Sequence, residues 1–166
     1  FEEMQSVGAH IEKYFGKYDR VMHELASPDI HVDIYVIPPR AEHEYYTLVT
    51  CGMGAHKMEV PDELKNEQLE RAELLINLPA GWRLDEESLK DEKWYWPIRF
   101  LKFMARSPVN NGMYYDWGST LEFDDITSFD DSTKLCSAVV LSPGVFGEPS
   151  YECRLPNGEV VNFYQA

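Results

Sequence analysis

Basic residues are scarce in this sequence. Lys and Arg total 15 against 29 Asp and Glu, a net charge of −14. Binding to phosphate is driven by clustered cations that release counterions, so this balance speaks against nucleic acid as a direct partner. It disfavours an anionic membrane surface for the same reason. Cysteine is also sparse: Cys51, Cys136 and Cys153 are odd in number, widely spaced and without a Cys-x-x-Cys pair. That pattern argues against a disulfide framework and for a reducing compartment, with the cytoplasm as the expected location. No apolar run approaches the roughly 18 residues of a membrane span. No secretory signal and no Asn-x-Ser/Thr sequon is present. Three motifs of common chemistries are missing as well: the Gly-x-x-x-x-Gly-Lys-Ser/Thr phosphate loop, the Gly-x-Ser-x-Gly elbow and the His-Glu-x-x-His metal pair.

What is present describes an ordered globular chain. Its 166 residues suit one domain spanning 1–166, and hydrophobic and aromatic fractions of 44% and 13% can fill a core. The acidic excess has two readings: solubility alone, or attraction of a basic protein partner through opposite net fields. The chain opens on Phe1 and closes inside the apolar run Val160–Ala166, which predicts a domain truncated at its C-terminus.

Periodicity predicts an α+β fold, a mixed and largely antiparallel sheet packed against an N-terminal helix and one longer central helix. Met4, Val7, Ile11, Tyr14 and Phe15 stand at helical spacing before Gly16. Arg20–Ala26 and His31–Ile37 read as a hairpin, with Val21, His23 and Leu25 on one face. Tyr45–Cys51 and Ala72–Leu78 read as further strands. Trp94–Arg106 reads as the central helix, beginning near Trp94–Trp96 so that Pro97 falls in its first turn, and ending at Pro108 and Asn110-Asn111-Gly112. Strands are expected over Tyr114–Phe123, Cys136–Leu141, Tyr151–Leu155 and Val160–Tyr164. Asn157-Gly158 marks a hairpin between the last two. The acidic stretch Glu122–Lys134 is expected to be a mobile loop.

Few residues suggest chemistry. Gly52-Met53-Gly54 opens like a dinucleotide fingerprint, but Lys57 stands where a third glycine belongs, which favours a structural corner. His23, His31, Asp33 and His56 could converge on a metal, or could be hydrogen-bonded at a sheet edge. Cys51 reads as a small buried hydrophobe rather than a nucleophile. The carboxylate pairs, such as Asp124-Asp125 and Asp130-Asp131, lie in polar runs and read as solvated. No catalytic residue, metal ligand or cofactor is assigned. Trp94-Tyr95-Trp96-Pro97 is a dense aromatic cluster that either packs in the core or anchors a partner.

Several runs, taken in order, resemble the suppressor-of-fused domain family. They are HELASPDIHVDIYVIPP from His23, YYTLVTCGMGAHKMEVPDEL from Tyr45, RAELLINLPAGW from Arg71, DEKWYWPIRFLKFMAR from Asp91 and SPGVFGEPSYECRLPNGEVVNFYQ from Ser142. The likeness covers about Ala9 to Gln165 and is greatest for short, single-domain bacterial members. It implies a mixed α+β domain that binds protein without catalysis. Two-domain animal relatives clamp a peptide strand of Gli-class transcription factors, and bacterial relatives are associated with polymorphic toxins as immunity proteins. By that resemblance the partner is a protein, a basic nuclease-type toxin being the most fitting. The segment after the long helix, Tyr114–Thr120, would carry the contact. Asp116 is the best match for an acidic contact, with Tyr115 and Trp117 beside it and Trp94 and Trp96 as further anchors. Strand addition by a regulatory module is the alternative, and a metal-dependent enzyme the remote one.

Overall fold

The computed structural model describes residues 2–122 and 127–166. A six-stranded sheet has the order β1-β2-β3-β4-β8-β7, and a separate two-stranded ribbon pairs β5 with β6. The strands are β1 (Arg20–Met22), β2 (Asp33–Ile37), β3 (Tyr45–Cys51), β4 (Ala72–Pro79), β5 (Thr120–Glu122), β6 (Ser137–Val139), β7 (Glu152–Arg154) and β8 (Val160–Gln165). All pairings are antiparallel except β4 with β8, so the sheet is mixed and largely antiparallel.

Each face of the sheet is buried by a helix. Helix α1 (Glu2–Tyr14) places Val7 and Ile11 against Val49, Leu75, Val161 and Phe163. Helix α2 (Glu92–Asn111) places Ile98, Leu101 and Met104 against Ile34, Leu48 and Leu74 on the other face. Strand alternation explains the division: Leu74 and Ile76 point one way from β4, Glu73 and Leu75 the other. His10 joins the α1 side by stacking on Phe163 at 4.7 Å and bonding the Ser150 carbonyl through Nε2 at 2.8 Å; burial lowers its pKa.

Three sequence expectations shift. The first hairpin stops at Met22, because the backbone after it is held by carboxylates rather than by a ladder. Glu24 accepts from Val32 N–H at 2.9 Å and from the Arg106 guanidinium at 2.5 Å, while Asp33 accepts from Glu24 N–H at 3.1 Å. Leu25 is left fully exposed instead of facing its hairpin neighbours. Helix α2 starts two residues earlier than expected, because Asp91 caps it through the Lys93 N–H at 3.0 Å. It also runs through Pro108 to Asn111 before Gly112, at φ 58°, ends it. Pro108 has no N–H for the Met104 carbonyl, and the Tyr115 hydroxyl donates to that oxygen at 2.9 Å instead. Finally, the acidic stretch is anchored at Phe129, which is buried and stacks on Phe100 with ring centroids 4.1 Å apart. Of the strand expected over Tyr114–Phe123 only Thr120–Glu122 forms, because the chain before it turns at Trp117-Gly118, where Ser119 N–H donates to the Asp116 carbonyl at 3.0 Å; Phe123 and the rest of 123–126 lie outside the described residues.

Candidate protein-binding surface

The sequence names five contact residues, and the fold separates them. Tyr115 is in the core, only 1% exposed, filling the hydrogen-bond gap left by Pro108. Trp117 is 66% exposed at a turn that Asp116 builds. The Asp116 carboxylate accepts from the Trp117 N–H at 2.7 Å, and the Asp116 N–H donates to Ser119 Oγ at 3.0 Å. Trp94 is half-buried, set edge-on to Trp82 at 5.2 Å, and the Trp82 indole donates to its carbonyl at 3.0 Å. Trp96 is 8% exposed and stacks on Phe129 at 5.6 Å. Its indole Nε1 is buried with no hydrogen-bond partner among the described residues.

Trp96 and Trp117 bracket one surface. An apolar cleft of about 310 Å³ is floored by Trp96, Pro97 and Phe100, and walled by Ile76–Leu78 of β4 and by Ser137–Val139 of β6. The β5–β6 ribbon ties this cleft to the turn that carries Trp117. Gly118 N–H donates to the Val140 carbonyl at 2.8 Å, and Val140 N–H to the Ser119 carbonyl at 2.9 Å. Leu135 and Val139 line the cleft, and they and Leu141 are exposed. Exposed apolar side chains gathered near an apolar cleft are a usual mark of a protein contact. Sequence reasoning missed its β6 wall, because a three-residue strand carries too few residues to show which of them face outward.

The glycine corner has a different role. Glu73, wholly buried in β4, accepts from the N–H groups of Gly52 and Gly54 at 2.8 Å each through Oε1. Its Oε2 accepts from the Thr50 hydroxyl at 2.5 Å, and Thr50 Oγ1 accepts in turn from Leu74 N–H at 2.8 Å. Burial pushes Glu73 up to about 7, against the pull of these donors. Arg71 closes the other side of the corner by donating to the Gly54 carbonyl at 2.9 Å and pairing with Glu159 at 2.8 Å. Lys57 and Arg71 together hold Glu159 down at about 2. The corner is therefore a buried polar knot. The signal that could have found it is the lone carboxylate within the apolar run Ala72–Leu78.

The histidines converge only in part. His23 Nδ1 and His31 Nε2 lie 2.9 and 2.8 Å from the two oxygens of Asp33. The His56 side chain is exposed at the far side of the glycine turn, and its N–H donates to the Met53 carbonyl at 3.0 Å. Among the described residues no three His, Cys, Asp or Glu side chains are grouped to hold a metal ion. Cys51 and Cys153 are buried, and burial pushes both thiols up, Cys153 to about 11. Neither has the lowered pKa of a nucleophile. No helix among the described residues is long and apolar enough to cross a membrane.

Comparison with known proteins agrees with this architecture. An uncharacterised protein of Ureaplasma parvum serovar 3 is 32% identical over 167 aligned positions, which cover 99% of this chain and 76% of the relative. The crystal structure of a suppressor of fused homologue from Neisseria gonorrhoeae FA 1090 superposes with a TM-score of 0.65 at 14% identity. That match covers 98% of this chain and 75% of the homologue, and it shows the shared fold. The sequence profile of the family described as Suppressor of fused protein (SUFU) matches residues 28–166, most of the chain. With a bacterial relative and a bacterial structure of the same fold beside it, the chain belongs to the suppressor of fused family.

Proposed function

We propose that this chain is a non-catalytic protein-binding domain acting as a bacterial immunity protein in the cytoplasm, and that its partner is a basic toxin of the nuclease type. Membership of a family of protein-interaction domains supports the binding role. The observation that carries the finer reading is the exposed apolar surface around Trp117 and Val139 on a chain of net charge −14. Apolar anchors supply affinity, and an acidic field draws in a basic partner and competes with that partner's nucleic-acid substrate. Co-expression of the chain with the toxin-like product of a neighbouring gene tests this. Co-purification together with rescue of the host cells is the expected result; cells that die without any complex being recovered would refute it. A second reading, a regulatory module that adds a peptide strand, is favoured by the outer edge of β1, which has only β2 beside it among the described strands.

A further inference from the structure

We infer that the groove between residues 59–61 and the C-terminal end of α2 is a docking site for an arginine side chain of the basic protein partner. This rests on the protein-binding reading and adds which side chain of the partner is recognised, and where.

Helix α2 ends at Gly112, and its last turn carries no basic residue. Such an end is negatively polarised, because the last carbonyls of a helix lack internal donors. The Pro108 carbonyl takes the N–H groups of Gly112 and Met113, while those of Val109, Asn110 and Asn111 take no backbone N–H among the described residues. A carboxylate stands against this end. Glu59 lies so close that a Cβ added to Gly112 would meet its Oε2 at 3.1 Å and its Oε1 at 3.9 Å. An anion at a helix C-terminus is unfavourable unless a cation offsets it. Glu59 forms no ion pair among the described residues, and the lysines nearest in sequence are engaged elsewhere. Lys57 pairs with Glu159 at 2.7 Å and Glu70 at 3.5 Å, and Lys65 with Asp62 at 2.9 Å.

The groove beside this carboxylate holds about 440 Å³ and is otherwise apolar, lined by Val60 and Pro61 from one segment and by Met113 and Tyr114 from the other. Met113 and Tyr114 pack half-buried against the core, so their wall stands before a partner arrives. An arginine matches this arrangement part by part. Its methylene stem lies on the apolar walls. Its planar guanidinium donates to the Glu59 carboxylate and to the helix-end carbonyls together, a fork that a point-like ammonium lacks. One carboxylate is too few for a metal ion, and among the described residues no three His, Cys, Asp or Glu are grouped to hold one. Trp117 follows Tyr114 by three residues, at most about 11 Å of chain, so one partner can fill the groove and cover the exposed indole. A second copy of this chain, at net charge −14, would bring like charge to like.

The test is a titration of the 166-residue chain at neutral pH with N-acetyl-arginine amide, followed by amide NMR. The citrulline and lysine analogues, and calcium chloride at matched ionic strength, serve as controls. The arginine compound should give saturable shifts of the Gly112 and Met113 amides. Glu59→Gln should weaken it by about tenfold or more, the loss expected when one partner of a charge-assisted bond is removed. The same variant should melt no lower than the parent, because the carboxylate it removes is unfavourable at a helix end. Glu86→Gln, at an exposed carboxylate outside the groove, should leave binding unchanged. Equal shifts from citrulline, lysine or calcium, shifts that survive Glu59→Gln, a lower melting temperature for that variant, or a probe-free dimer that it dissolves would each overturn the inference. A chain that binds the arginine compound in this groove but never protects cells would refute the toxin reading alone and leave the groove standing.

Discussion

Glu73 shows how one buried side chain ties a turn to a pH response. Its pKa rises from 4.5 to about 7 on folding, so between those values the folded chain holds a proton that the unfolded chain has lost. Stability from this group is therefore greatest below about pH 4.5 and declines as pH rises through 7. The decline amounts to roughly 3 kcal/mol at 1.36 kcal/mol per unit. Glu73→Gln should flatten this part of a urea-stability profile measured from pH 5 to 8. His10 works in the opposite direction: its lowered pKa means that stability is lost as pH falls below 6.5. Gly52 is fixed more rigidly. At φ 126°, an added Cβ would lie 2.1 Å from the His31 carbonyl. Gly52→Ala should cost about 3 kcal/mol or more, read as a drop in melting temperature. The paired glycines were legible in the sequence as a corner. Their carboxylate was not, because Glu73 reaches them only through the register of β3 on β4.

Helix α2 shows why element boundaries were harder to read than elements. Pro108 looked like a stop, yet the helix passes it because Tyr115, from the following segment, satisfies the Met104 carbonyl. Such a tertiary rescue leaves no local trace in sequence, and the same fact moves Tyr115 from candidate contact to core. Tyr115→Phe should cost about 1–3 kcal/mol by leaving that carbonyl without a donor. Its partner affinity should not change, as calorimetry and a binding titration on one sample would show. The first hairpin taught the converse. Its pairing was legible from alternation in His31–Ile37, but the exit of the chain after Met22 depends on Arg106, more than 70 positions away in α2.

Across the whole molecule, the fold class, both helices and the central strands could be read from periodicity, and extended runs carried the family likeness. The proposed binding surface could not, because it is assembled from the start of α2, the end of β4 and a three-residue strand. Trp117→Ala should leave stability within about 0.5 kcal/mol yet weaken a partner complex by about 2 kcal/mol if Trp117 is an anchor. Association should also slow as salt is raised from 0.05 to 0.5 M, an approximate range over which the screening length falls below 10 Å. The late position of β8 in the chain has a further consequence. It completes the sheet beside β4, and α1 is fastened to the same region by bonds from Cys153 to the Ser6 carbonyl and from His10 to the Ser150 carbonyl. Those bonds join positions 147 and 140 residues apart. Closure over such separations favours refolding in milliseconds to seconds rather than microseconds. During synthesis, β4 keeps a bare apolar edge until residues 160–165 leave the ribosome, so the nascent chain, more than the finished protein, is the form that needs shelter from aggregation.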